Sequence, residues 1–312
     1  MSIKSANQFI VILFGLLGFV PFAYGGLNVV TTTQDIASIT EEIGGDLVNV
    51  HSLLKGTQDS HYIQAKPSFL IKINRADLLI YQGLELEIGW LPLLIQGGRN
   101  PKVLPGQPGH LDLSSAVQPI GIPQGPVDRS MGDVHPLGNP HYHLDPLNGI
   151  FMAAVIAQQL NVLDPENSHQ YRKNFLSFKE KVESNLKKWK ARLKGFKDVK
   201  IVTQHMTWNY FLERFGIEHM GTIEVLPGIP ATAKHLAQLA RRMNANNTKI
   251  IIQANFFDKG YANLLAEKTN GIPLSLPASI GGSEEATDYV ALFDLIIDRL
   301  VNALNTIKQA KK

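Results

Sequence analysis

Three histidines and one aspartate lie close together near the middle of the chain. The segment 138–146 reads GNPHYHLDP, and the candidate ligands in and just before it are His135, His141, His143 and Asp145. Imidazole and carboxylate groups are the ligands that proteins offer to zinc and related metals. Pro140 and Pro146 bias the residues before them toward extended backbone, so the segment is predicted to be a stiff loop or strand end. The pattern therefore indicates a metal site.

Two further histidines follow predicted strands, and one aspartate precedes a predicted helix. His61 comes after the predicted strand Val48–Leu54, and His205 comes after the predicted strand Val199–Thr203. Loops at the carboxyl ends of parallel strands are where open α/β sheets bind ligands. Asp288 opens the last predicted helix. A lone loop histidine is most often a helix cap or a solvated residue, but the shared placement of these residues favours a common site.

Composition excludes several functional classes. The chain has 312 residues, a formal charge of +3 and no cysteine. The length predicts two domains, and the dispersed charge does not predict nucleic acid or other acidic partners. Without cysteine the chain has no disulfide, no cysteine-based structural zinc site and no cysteine for the lipid of a bacterial lipoprotein. Any metal site must then use histidine, carboxylate and water.

The N-terminus has the layout of a signal peptide. Lys4 is followed by an apolar run from Phe9 to Phe22 and then by the small residues Ala23 and Gly25. This run is short for a membrane span, so residues 1–25 are predicted to be a signal peptide cleaved near Gly25, with an uncleaved anchor as the alternative. No later segment is predicted to span a membrane. We expect a periplasmic protein without a stable membrane anchor.

The elements that must position the candidate ligands alternate between strand and helix. This order predicts an α/β fold with two parallel-sheet lobes, 26–163 and 196–312. Between them, residues 164–195 contain about thirty residues with helical periodicity and many charges, which predicts a stiff connecting helix of about 45 Å. Asp164 or Asn167 could cap its start, and Gly195 could end it.

Several motifs of the chain resemble those of a known family. The similar motifs are DSHY at 59–62, ADLLIYQGLELE at 76–87, NPH at 139–141, LDP at 144–146 and TQH at 203–205. Together they resemble the periplasmic zinc- and manganese-type receptors, or solute-binding proteins, of ABC transporters, in the group with a rigid interlobe helix. The resemblance covers essentially the whole chain after residue 25.

The resemblance implies a function and a ligand set. The family's four ligands correspond to His61, His141, His205 and Asp288, with the metal in the cleft between the lobes. His135, His143 and Asp145 are then supporting groups or alternative ligands. Three imidazoles and one carboxylate suit Zn(II), whereas manganese-type relatives carry Glu at the position of His205. The expected cargo is zinc, with manganese less expected, the expected partner is an ABC permease, and the expected state is a monomer.

Two alternatives remain open. The sequence His141-Tyr142-His143-Leu144-Asp145 has the His-x-His-x-Asp spacing that begins the signature of metallo-hydrolases. That signature continues with histidine, whereas this chain has Pro146, and the helix-rich context does not match either. A second alternative, a surface adhesin, has no supporting apolar patch in the sequence. We therefore expect a carrier and not an enzyme.

Overall fold

Two four-stranded parallel sheets form the framework of the protein. The computed structural model describes residues 26–196 and 198–310, so the predicted signal peptide lies outside the described residues. The first lobe consists of β1 (Leu27–Thr31), α1 (Gln34–Gly44), β2 (Val48–Ser52), α2 (Pro67–Arg75), β3 (Leu78–Tyr81), α3 (Leu91–Gly98), β4 (His110–Asp112) and α4 (Pro146–Leu163). Its strand order is β2-β1-β3-β4, and all neighbours are parallel.

The second lobe repeats this arrangement after a long helix, α5 (Ser168–Leu193). It consists of β5 (Lys200–Thr203), α6 (Asn209–Phe215), β6 (Glu218–Thr222), α7 (Ala233–Ala245), β7 (Ile250–Ala254), α8 (Gly260–Thr269), β8 (Ile272–Leu276) and α9 (Tyr289–Gln309). Its strand order is β6-β5-β7-β8, again parallel throughout. The predicted fold of two parallel-sheet lobes and one long helix is confirmed.

Central strands of both sheets are apolar because helices cover both faces. All five residues of β7, the sequence IIIQA, are buried. Parallel sheets of α/β proteins carry such continuous apolar runs, since neither face meets solvent. The polar side chains that could form a functional site are therefore expected in the loops beyond the strand ends, where polar groups can be accommodated.

The connecting helix is shorter than the sequence predicts but packs along both lobes. α5 has 26 residues, about 39 Å, and single 3₁₀ turns flank it at Pro165–Asn167 and Lys194–Phe196. One apolar stripe is buried, at Tyr171, Phe178, Val182, Trp189 and Leu193. That stripe packs on α1, α4 and α9, so the helix contacts elements of both lobes.

α4 has the length and composition of a membrane span but the position of a core helix. It has 18 residues and a mean hydropathy of 1.3. The sequence did not predict such a segment after the N-terminus. Met152, Ala153 and Ile156 have no exposed surface, and the helix packs closely on α5 and α1. Its apolar character is therefore explained by burial inside the protein.

One hydrophobic core and several buried polar contacts join the lobes. The main core contains residues of both sheets, of α5 and of α9. Arg214 of the second lobe forms two hydrogen bonds of 2.6 and 2.7 Å to the carboxylate of Asp145 in the first lobe. The hydroxyl of Tyr289 donates to the carbonyl of His143 at 2.7 Å. These contacts hold the lobes close together on the side of α4 and α9.

Candidate metal centre

Three of the four predicted ligands converge at the cleft between the lobes. His61, His141 and His205 each offer one nitrogen, and these nitrogens lie within 4.8 Å of one another. The ring centroids are separated by 5.2 Å between His61 and His141, 5.4 Å between His61 and His205, and 5.3 Å between His141 and His205. The three rings thus surround one point, although they lie 64 to 144 positions apart in sequence.

His61 is oriented by a neighbouring carboxylate in the loop after β2. Oδ1 of Asp59 accepts hydrogen bonds from the backbone N–H of His61 at 3.0 Å and from its Nδ1 at 2.7 Å. Burial tends to raise the pKa of Asp59, but the hydrogen bond and charge of His61 lower it below its usual value. Nε2 of His61 is buried and has no hydrogen-bond partner among the described residues. This nitrogen is therefore free to bind a metal.

His205 has the same arrangement in the second lobe. It follows β5, and its Nδ1 lies 2.7 Å from Oε2 of Glu224, which follows β6. Both side chains are buried, and the backbone N–H of Gly228 also donates to this carboxylate at 3.0 Å. A carboxylate on Nδ1 directs Nε2 outward and increases its basicity, as in carboxylate–histidine–metal triads. Glu224 therefore orients the ring of His205.

His141 is held by contacts that cross the cleft. Its backbone N–H donates to Oδ1 of Asn139 at 2.9 Å, and Nδ2 of Asn139 donates to the carbonyl of Met206 at 2.7 Å. Burial, followed by the neighbouring imidazoles, lowers the pKa of His141 well below its usual value. The ring is thus neutral, which is the form that binds metal. Its Nε2 is buried without a hydrogen-bond partner in the described part of the chain.

His143 and Asp145 do not join the three rings. Nδ1 of His143 lies 3.2 Å from the side-chain nitrogen of Gln82, and its Nε2 lies 3.0 Å from the carbonyl of Ala278. Asp145 accepts the two hydrogen bonds of Arg214 and one from the backbone N–H of Leu147. Both residues therefore support the packing around His141. The His-x-His-x-Asp arrangement of the hydrolase alternative is not assembled, because only His141 of its three residues faces the cleft group.

Asp288 also lies outside the group of three histidines. Its Oδ1 accepts hydrogen bonds from the backbone N–H groups of Val290 and Ala291, at 2.9 and 3.0 Å. Asp288 is therefore the N-cap residue of α9, a role that follows from its place directly before the first residue of the helix. The residues directly after β8 are Pro277 and Ala278. Neither offers a carboxylate at this edge of the second sheet.

His135 lies next to the group without being a member of it. Its ring centroid is 5.3 Å from that of His61, and its Nε2 is buried with no partner among residues 26–196 and 198–310. Burial and then the charges of His61 and His205 lower the pKa of His135 to about 3. The ring is neutral and adjacent to the site, as a supporting or alternative ligand would be.

The arrangement fits a divalent transition metal. Three imidazole nitrogens suit zinc, whose bonds to nitrogen are about 2.0–2.1 Å, and ligand nitrogens around a tetrahedral zinc would be about 3.4 Å apart. Nitrogens already within 4.8 Å of one another need only a small approach to reach this geometry. A divalent ion would satisfy the buried, partnerless nitrogens of His61 and His141, because unpaired buried polar atoms are otherwise costly.

Sequence reasoning missed the two carboxylates that orient the histidines. Asp59 stands two residues before His61 and belongs to a motif noted above, but Glu224 lies 19 residues after His205. The available signal was position, since Glu224 directly follows a strand of the second sheet, at the edge where ligands gather. The strand Glu218–Thr222 itself was not predicted, so this signal could not be used.

Known proteins resemble the chain over most of its length. A family model described as "ZnuA: Zinc-uptake complex component A periplasmic" matches residues 29–303. The metal ABC transporter substrate-binding lipoprotein FimA of Streptococcus parasanguinis is 28% identical over 310 residues, covering 95% of this chain and 96% of that protein. The manganese ABC transporter substrate-binding lipoprotein PsaA of Streptococcus pneumoniae serotype 4 is 25% identical over 287 residues, with 89% of each covered.

Solved structures share the fold. A ZnuA deletion mutant with zinc bound has a TM-score of 0.75 and 24% identity, covering 89% of this chain and 98% of that one. A cadmium-bound periplasmic metal binding protein from Candidatus Liberibacter asiaticus has a TM-score of 0.74 and 23% identity, covering 89% and 99%. At this level of identity the two structures support the fold of the chain.

Proposed function

We infer the function from one premise: the chain belongs to the ZnuA family, zinc-uptake complex component A periplasmic, whose members are substrate-binding receptors of metal ABC transporters and not enzymes. Membership establishes a receptor for a divalent metal that works with a membrane permease and ATPase.

We propose that the cargo is zinc and that His61, His141 and His205 bind it. The observation that carries the proposal is the convergence of three imidazoles from both lobes, with ligand nitrogens within 4.8 Å of one another. Relatives are named for manganese as well as for metal in general, so names do not decide between the two metals. Imidazole nitrogen suits zinc, whereas manganese prefers carboxylate and carbonyl oxygen. The donor set therefore favours zinc.

Binding would close the cleft by small movements of loops. His61 and His141 belong to the first lobe and His205 to the second, so one ion would link the two. The shared core, α5 and the partly buried Arg214–Asp145 pair oppose a large hinge motion. We therefore propose that the ligand-bearing loops move more than the lobes do, and that the permease recognises the metal-bound form.

The proposed location is the periplasm, after cleavage near Gly25. The named relatives FimA and PsaA are lipoproteins. This sequence contains no cysteine, the residue to which the lipid of a bacterial lipoprotein is attached. Release as a protein without a lipid anchor is consistent with that composition.

Competitive titration of the purified protein tests the choice of metal and ligands. We expect one zinc per chain, bound more tightly than manganese, and a loss of at least about 100-fold in zinc affinity for His141→Ala, since even partners of ligands contribute about 10–100-fold. His51→Ala is the matched control, because His51 is exposed on β2. Equal affinity for zinc and manganese would contradict the proposed cargo. Wild-type zinc affinity in His141→Ala would contradict the proposed ligands.

A further inference from the structure

A loop that contacts both lobes lines an open cavity beside His61. This segment, residues 124–137, is called here the capping loop. Its Asp133 accepts a hydrogen bond from the hydroxyl of Tyr62 in the first lobe. The backbone N–H of Asp133 donates to the carbonyl of Pro227 in the second lobe at 2.7 Å. Both contacts lie next to candidate ligands. Tyr62 directly follows His61. Pro227 directly precedes Gly228, whose backbone N–H donates to Glu224, the hydrogen-bond partner of His205.

The capping loop places one imidazole beside the site. The ring of His135 lies 5.3 Å, centroid to centroid, from the ring of His61. Its Nε2 is buried and finds no hydrogen-bond partner in the described ranges, as is true of the nitrogens of His61 and His141. The imidazoles of His61, His135 and His141 therefore share one unusual property, a buried ring nitrogen that lacks a hydrogen-bond partner among the described residues.

Other ionisable groups near the cleft are already engaged. Their partners are an imidazole ligand, a guanidinium, a helix N-terminus, or an amide and a carbonyl, and the groups are Asp59, His143, Asp145, Glu224 and Asp288. Directly after β8 the chain offers Pro277 and Ala278. His135 lies beside His61, and its buried Nε2 has no hydrogen-bond partner among the described residues, so this imidazole remains available.

We propose that His135 is the fourth ligand, so that the bound metal is held by four imidazoles and the capping loop closes over it. The inference rests on the proposed function and adds a ligand from a third segment of the cleft wall. His135 is not within the 4.8 Å group, so its ring must move inward when the metal binds. An open cavity of about 870 Å³, lined by His61, Tyr62, Asp133 and His135 among others, leaves space for that movement and for metal entry.

Four nitrogen ligands would determine selectivity and access. A closed tetrahedral site lacks the open position at which catalytic zinc sites bind water, so it suits storage or carriage of the ion. An all-imidazole set also lacks the carboxylate oxygen that manganese favours. Because the fourth ligand lies on a bridging loop, binding of the ion would be coupled to the loop contacts with Tyr62 and Pro227. The conformation of the capping loop at the protein surface would then differ between the metal-bound and metal-free forms.

X-ray absorption at the zinc edge counts the imidazoles directly. The full-length mature protein loaded with one equivalent of zinc is expected to show four, and His135→Ala is expected to show three plus one oxygen. Zinc affinity, measured by chelator competition, should fall at least about tenfold in His135→Ala and in His135→Gln. His110→Ala is the control, because His110 lies in the same lobe but bonds Val103 and Tyr81 away from the cleft.

Two results would overturn the assignment. One is three imidazoles in the wild-type protein, and the other is an unchanged imidazole count in both His135 variants. Asp133→Asn distinguishes a ligand from a residue that only anchors the loop, since it weakens the contact to Tyr62 while keeping all four histidines. We expect four imidazoles in Asp133→Asn. Failure of the wild-type protein to bind zinc at all would instead refute the proposed function, so the two failures are distinguishable.

Discussion

Replacement of Glu224 by glutamine should weaken zinc binding without altering the fold. Oε2 of Glu224 lies 2.7 Å from Nδ1 of His205, and the two side chains are only 7% and 5% exposed. Glutamine keeps an oxygen that can accept this hydrogen bond but removes the negative charge that increases the basicity of the ring. Loss of such partners typically costs about 10–100-fold in metal affinity, or about 1.4–2.8 kcal/mol. We expect about tenfold for Glu224→Gln and about 100-fold for Glu224→Ala.

The first lobe provides an internal comparison. Asp59 has the same role for His61, at the same distance of 2.7 Å, but its side chain is 23% exposed. A partly solvated carboxylate interacts more weakly because water screens its charge. The expected loss for Asp59→Asn is therefore smaller than for Glu224→Gln. The order of the two effects follows from burial alone and does not depend on the absolute affinity.

Competition with a chromophoric zinc chelator at constant pH measures all these variants on one scale. Circular dichroism and the thermal midpoint of the metal-free proteins establish that each variant is folded. Zinc affinity of Glu224→Gln within twofold of wild type would refute the idea that the carboxylate tunes His205. A larger loss for Asp59→Asn than for Glu224→Gln would refute the argument from burial.

Two further predictions concern buried groups beside the site. His143→Ala should change zinc affinity by less than about threefold and lower the free energy of unfolding by about 1–3 kcal/mol, because His143 bonds Gln82 and Ala278 and not the metal; a large loss of zinc affinity in a folded variant would contradict this. Burial raises the pKa of Glu87 from 4.5 to about 7 despite its hydrogen bonds from Thr32, Gln82 and Gly83. The folded chain then binds this proton more tightly than the unfolded chain, so the contribution of Glu87 to stability is greatest below pH 4.5 and falls by about 3 kcal/mol as the pH rises to 7. Urea unfolding in chelator at pH 5 and pH 7.5 should show this fall in the wild type and not in Glu87→Gln, and equal slopes in both proteins would contradict it.

Much of the fold was predictable because its signals are local. Apolar runs such as the one in β7 predicted strands, and helical periodicity predicted α5 and α9. The alternation of strands and helices along the chain then predicted both lobes and the long helix. The strands β4, β6 and β8 and the helix α3 were not predicted. β6, with the sequence EHMGT, has one buried residue in five, and β8 contains a proline. Neither carries the apolar pattern of a central strand, because each lies at an edge of its sheet.

The candidate site was predictable only in part, because its members meet through tertiary structure. His61 and His205 follow predicted strands, and the topology of parallel sheets places such loops at one edge. His135 was a candidate from its place beside the His141 segment, whereas Glu224 could be found only from the position of β6, which was not predicted. Asp288 was chosen for its place before the last helix, yet the same place makes it an N-cap. His143 shares a motif with His141, but its ring is turned toward Gln82 and Ala278.

An anomalous difference map of crystals of the zinc-loaded protein, recorded at the zinc edge, tests the central claim most directly. We expect one strong peak in the cleft, about 2.0–2.1 Å from a ring nitrogen of each of His61, His141 and His205. That result would show that one ion links the two lobes through imidazoles. A principal peak bound by His143 and Asp145, or one that lacks any of the three predicted histidines, would contradict the account.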